Sequence, residues 1–111
     1  MSLNGLIIDT LKPLNVPVSF ASYNQTADTY IVFLEYNQKS WLIADDEEKQ
    51  TEHLFQVDVF SKGNYLDLVK EMKKLLKEIG FRRTFETETY EDEMKRFRKI
   101  LRFAYISEEE Y

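Results

Sequence analysis

Between Phe55 and Phe81 the chain reads FQVDVFSKGNYLDLVKEMKKLLKEIGF, and the period of its apolar residues changes once. Phe55, Val57 and Val59 alternate with Gln56 and Asp58, a period of two that sends one set of side chains to each face of a strand. From Tyr65 the spacing lengthens. Tyr65, Leu68, Val69, Met72, Leu75, Leu76 and Ile79 recur at three and four residues, which is the stripe of an amphipathic helix over residues 65–79. Asn64 suits the helix start, with Asp67 three residues on, and Lys73, Lys74 and Lys77 lie toward the end where the helix dipole favours cations. Gly80 fits the left-handed position just past the last turn. A strand joined this closely to a helix has few ways to bury both apolar faces. The helix must fold back on a sheet, with Leu68, Met72, Leu75 and Leu76 expected against it.

The other segments supply that sheet. Ser2 can cap a short helix carrying Leu3, Leu6, Ile7, Leu11 and Leu14, which Pro13 helps to end. Val18, Phe20 and Ser22 alternate with Ser19 and Ala21 as a strand. TYIVFLEYN, residues 29–37, is apolar on both faces and predicts an interior strand covered on both sides for part of its length. WLIADDEEKQTE, residues 41–52, begins apolar and runs into acids without periodicity, which predicts a short strand feeding an exposed loop. In FRRTFETET, Phe81, Arg83 and Phe85 alternate with Arg82, Thr84 and Glu86, and YEDEM at 90–94 is a charged turn. KRFRKILRFAYI, residues 95–106, puts Phe97, Leu101, Phe103 and Tyr105 on one face and Arg96, Arg98, Ile100 and Arg102 on the other. The end, SEEEY at 107–111, is expected to fray. The expectation is one α+β domain over residues 1–111. It has an antiparallel sheet of about five strands, the 65–79 helix on one face, and a short N-terminal helix.

Composition removes several activities. With 111 residues, one core can bury roughly 65% of the unfolded chain's surface. The absence of cysteine excludes disulfides, thiolate catalysis and Cys-ligated zinc. The three glycines, Gly5, Gly63 and Gly80, are far apart, so no phosphate-cradling loop can form from them. His53 is the one histidine, flanked by Glu52 and Leu54, and reads as an ordinary surface or strand-end residue rather than a triad base. ADDEE at 44–48 could offer oxygen ligands to Mg²⁺ or Ca²⁺, but it lacks the spacing and central glycine of an EF-hand and reads as a solvated loop. No segment approaches the roughly 20 apolar residues of a membrane helix, and the N-terminus lacks a basic signal-peptide region. The expectation is a soluble intracellular protein with no catalytic residue, metal or cofactor, and so not an enzyme.

Charge is segregated along the chain. KRFRKILR at 95–102 holds five cations and no acid, whereas 45–48 and 91–93 are acidic throughout. The net charge of −5 opposes general affinity for DNA or anionic membranes. Arg96, Arg98 and Arg102 therefore read either as a solvated face with local ion pairs or as one half of a contact between copies. Asp45, Asp46, Glu47 and Glu48, or the 91–93 acids, would form the other half. A nucleic-acid-binding or regulatory module using the basic strand is the alternative. Such a sheet wants exposed aromatics among its cations, and this strand's own aromatics fall on its opposite face. A third reading is a small enzyme acting on a cationic substrate through the acidic loops.

In order along the chain come a short leading helix, YIVFLEYN at 30–37, an acidic stretch, FQVDVFSKGNY running into LVKEMKKLLKEIGF, and the closing YEDEMKRFRKILRFAYI. This arrangement resembles the small tail-completion, or tail-terminator, proteins of long-tailed bacteriophages and of prophages of Gram-positive bacteria. The resemblance covers nearly the whole chain, and VDVFSKGNY at 57–65 is its most telling part. It implies an α+β subunit that assembles as a ring, commonly a hexamer, on the finished tail tube, stops its growth and joins the head. The implied partners are copies of itself, the major tail-tube protein and a head-completion protein, with no membrane and no sequence-specific nucleic acid. The implied locations are the host cytoplasm during assembly and the virion tail. The family carries no catalytic motif or cofactor to transfer.

Overall fold

The structure, a computed structural model, describes residues 2–23, 26–44 and 47–108, the side chains of 42–49 excepted. Helix α1 (Leu3–Leu11) passes through a 3₁₀ turn (Lys12–Leu14) to strand β1 (Val18–Phe20). Then follow β2 (Thr29–Ala44), β3 (Glu47–Ser61), helix α2 (Leu66–Glu78), β4 (Arg82–Glu91) and β5 (Arg96–Ser107). The five strands form one sheet in the order β1-β2-β3-β5-β4, antiparallel throughout except for the β1–β2 pair. This is the expected α+β fold with a mostly antiparallel sheet.

Local chemistry sets the helix ends. Ser2 Oγ accepts a hydrogen bond from the Gly5 amide at 3.0 Å, answering one of the free donors of the first turn. At the start of α2, Asn64 Oδ1 accepts from the Leu66 amide at 2.9 Å, so the asparagine acts one residue ahead of the capping position, which Tyr65 occupies. At the other end the Phe81 amide donates to the Leu76 carbonyl and the Gly80 amide to the Lys77 carbonyl, both at 3.0 Å. With Gly80 at φ 100°, these bonds make a Schellman motif that turns the chain directly into β4.

Both helices lie on one face of the sheet. Ile31 and Phe33 of β2, Phe55, Val57 and Val59 of β3, and Leu101 and Phe103 of β5 meet Ile7 and Leu11 of α1 and Val69, Met72 and Leu76 of α2. Leu68 and Leu75, expected in this layer, are only partly buried at the flank of the helix. The interior position of β2 is visible on its other face too, where Tyr30 is buried between the rings of Tyr23 and Phe60.

Four local expectations are corrected. The segment read as an acidic loop is a strand: Glu47 and Glu48 pair with Ala44 and Ile43 in a β2–β3 hairpin, while Asp45 and Asp46 lie outside the described residues. A strand that is polar on both faces leaves no period of two to read. Phe85 faces away from the helices, because a bulge after Arg83 aligns Phe85 with Arg102 instead of a core position. Ser107, assigned to the tail, closes β5 opposite Thr51 and is buried. His53, read as an ordinary surface or strand-end residue, is fully buried within β3.

Beyond the Thr51–Ser107 pair, β5 ends and the hairpin continues alone. Residues 41–44 and 47–50 pair only with each other among the described strands, forming an arm at one end of a molecule 52 Å long and about 25 Å across.

Candidate functional site

The face without helices is where the strands bring cations and aromatics together. Tyr30, Phe60 and Arg98 are register neighbours across β2, β3 and β5. The rings of Tyr23 and Tyr30 stack at 4.3 Å and those of Tyr30 and Phe60 at 5.0 Å. The guanidinium of Arg96 lies 5.4 Å from the Tyr30 ring and that of Arg98 5.4 Å from Phe60, within cation–π range. Farther along, Arg102 lies between Tyr36 at 5.1 Å and Phe85 at 5.2 Å. The aromatics missing from β5's own basic face are thus supplied by its neighbours. A reading of one strand at a time misses them, because cross-strand register is not written in any single segment.

One of these three charges is answered by carboxylates inside the subunit, and the other two have neutral partners. Arg98 donates to Asp58 Oδ2 at 2.7 Å and to Glu91 Oε1 at 3.4 Å. Burial works against its charge, but the two carboxylates more than compensate and raise its pKa. Arg96 donates to the carbonyls of Ala27 at 2.9 Å and Met94 at 3.1 Å. Arg102 donates to Gln56 Oε1 at 3.3 Å and is otherwise exposed. Burial pushes the Tyr30 phenol up, against the lowering pull of Arg96. Of the candidate interface residues, the structure places the three arginines on one face. Glu47 and Glu48 lie in the backbone pairing of the arm, and Asp45 and Asp46 are outside the described residues.

A second cluster joins β2, β3 and β5. His53 Nδ1 lies 2.6 Å from Glu35 Oε2, and its Nε2 lies 3.2 Å from Ser107 Oγ. An ionised carboxylate can only accept, so Nδ1 donates to Glu35, and in the neutral ring Nε2 accepts from the Ser107 hydroxyl. The order Ser–His–Glu is that of an acyl-transfer triad. Its setting is different: the imidazole is fully buried, and the adjoining cavity of about 120 Å³ is lined by Ser2, Leu3, Asn4, Glu35, His53 and Phe55 but not by Ser107. The geometry suits a clamp across three strands.

A third cluster gathers around Glu86, which the bulge places on the helix side. Its carboxylate meets Lys73 of α2 and Arg83, both at 2.7 Å, and Lys99 of β5 at 2.8 Å. Burial opposes its ionisation, but the hydrogen bonds from Lys73, Lys99 and Arg83 outweigh it and hold the carboxyl at about 2. Among the described residues, no group of three or more His, Cys, Asp or Glu is gathered as a metal ion would require. Neither protein-family models nor curated protein sequences give a match to this chain.

Proposed function

We propose that this protein is a structural subunit of a phage or prophage tail, a terminator that forms a ring on the tail tube, stops its growth and joins it to the head. The observation that carries this reading is the β2–β3 arm. A two-stranded hairpin is at best marginally stable by itself in water. Here residues 41–44 and 47–50 extend past the last strand of the body, and Trp41, the chain's single tryptophan, is 52% exposed at the arm's base. Such an arm gains its support from what it grips in an assembly. The family resemblance supplies the kind of assembly: copies of this chain, the tube protein and a head-completion protein.

The net charge of −5 makes free copies repel at long range, so purified protein is expected to be monomeric or weakly associating. A tube end holds copies side by side and raises their effective concentration. The test is to supply the protein to tails assembled without it. Wild-type chain should give tails of uniform length that accept heads. A variant whose Ser40 is joined to Thr51 through Asn-Gly, removing the arm, should fold but leave tails overlong or headless. Normal termination by the armless variant would remove the basis of the proposal.

One observation favours a second reading, the binding of single-stranded nucleic acid. Arg102 lies between the exposed rings of Tyr36 and Phe85, a pairing of cation and stacking surface that such ligands use. Salt-sensitive binding of a labelled oligonucleotide, lost in Phe85→Ala, would support it; no binding at physiological salt would dismiss it.

A further inference from the structure

Positive charge also gathers where α2 hands over to β4. A cavity of about 540 Å³ there has a floor of Phe81 and Phe103 and a rim of Lys73, Lys77, Arg82 and Arg83. Its counter-ions are oversubscribed. Glu86 serves Lys73, Arg83 and Lys99, and Glu52 serves Arg82 at 3.6 Å and Lys39 at 3.3 Å. Lys77 has no ion pair among the described residues, so two carboxylates answer five cations and leave this sixth one over, in a chain of net charge −5.

The complementary surface is the β4–β5 turn. Asp92 and Glu93 are exposed at its tip, with Lys95 as the cation beside them. Tyr90 and Phe97 form an exposed aromatic base, the two rings meeting edge to face at 5.0 Å, and Met94 is exposed in the turn itself. Acids above aromatics match cations above aromatics. The cavity rim starts β4 at Arg82, and the turn follows its last residue, Glu91, so the two surfaces lie at opposite ends of one strand, roughly 30 Å apart. No subunit can bring its own two together.

We propose that copies of this chain join head to tail, the β4–β5 turn of one copy seating in the Lys73–Lys77–Arg82–Arg83 cavity of the next. This rests on the ring reading and names its contact. A heterologous contact of this kind leaves each copy with one unused surface of each type, so it propagates until the rotation closes a ring. The like net charges of the copies oppose it at long range, and the paired surfaces orient the encounter.

The test uses two variants at exposed positions: Lys77→Glu, which spoils the cavity, and Asp92→Lys with Glu93→Lys, which spoils the turn. Circular dichroism checks that each is folded, and Met94→Ser gives a second, uncharged change in the turn. In sedimentation velocity at high protein concentration and low salt, wild type should associate. Each variant alone should weaken association roughly tenfold or more. A mixture of Lys77→Glu with the turn variant should form one-to-one dimers and nothing larger, since one good cavity and one good turn remain. Variants that associate like wild type, or a mixture that stays monomeric, overturn the contact. If wild type still forms rings on tubes in that case, the ring reading survives without this contact. If wild type associates neither in solution nor on tubes, both fall.

Discussion

Glu86 answers three cations from three elements, and its low pKa makes it the residue through which acid should loosen the fold. Its folded value, about 2, lies below its ordinary 4.5. The stabilisation is therefore complete above 4.5 and is lost as pH falls from there through about 2. At about 1.4 kcal/mol per pH unit, the loss is at most roughly 3–4 kcal/mol, less what solvent screening removes. Urea unfolding at a series of pH values should show Glu86→Gln less stable than wild type at neutral pH, the difference closing across that window. A constant difference down to the lowest pH would locate the acid sensitivity elsewhere. In the core, Leu76→Ala should cost about 2–5 kcal/mol, whereas the half-buried Leu75→Ala should cost about 1–2 kcal/mol. Equal losses would show that α2 presents a different face. The sequence made the apolar stripe legible but not its centre line, since Leu75 and Leu76 are both leucines at permitted spacing. His53 was misread for a related reason. Its partners, Glu35 and Ser107, are 18 and 54 residues away, and only the sheet register brings them together.

At the scale of elements, punctuation residues read well and irregularities did not. Ser2, Pro13 and Gly80 mark ends in ways that follow from backbone chemistry, and each stands at the end it predicts. Gly80 is the strictest. Its φ of 100° strains any L side chain, and an added Cβ would sit 3.4 Å from Tyr105 Cε1. Gly80→Ala should cost about 1–2 kcal/mol by thermal or urea unfolding, more than the same change at a permissive turn. A neutral result would mean the Schellman turn can relax. The bulge in β4 gave no such signal. Thr84 is an ordinary strand residue, and its extra place in the chain moves Phe85 out of the core face and Glu86 into it. The arm was hidden as well, because its second strand, 47–50, is polar at every position and carries no period of two.

Across the whole molecule, the segregation of charge was plain in the sequence, but which charges are already answered within the subunit was not. Arg98 and Arg102 look equivalent on β5, two turns of the same alternation, yet their surroundings differ. Arg98 is held between Asp58 and Glu91, with the Asp58 side chain only 10% exposed. Reversal to glutamate would face an acid against that buried carboxylate, so Arg98→Glu should lose about 3 kcal/mol or more. Arg102 has a neutral hydrogen-bond partner, two rings and open solvent, so Arg102→Glu should stay within about 1 kcal/mol of wild type. Comparing the two separates stability from assembly. If the β5 arginines contact a neighbour in the ring, Arg102→Glu should melt like wild type but leave tails unterminated. If it terminates tails normally, the interface lies elsewhere, and the cavity at the end of α2 becomes the positive surface to which neighbouring copies answer. An Arg98→Glu defect alone would not decide between these outcomes, because a loosened sheet fails for its own reasons.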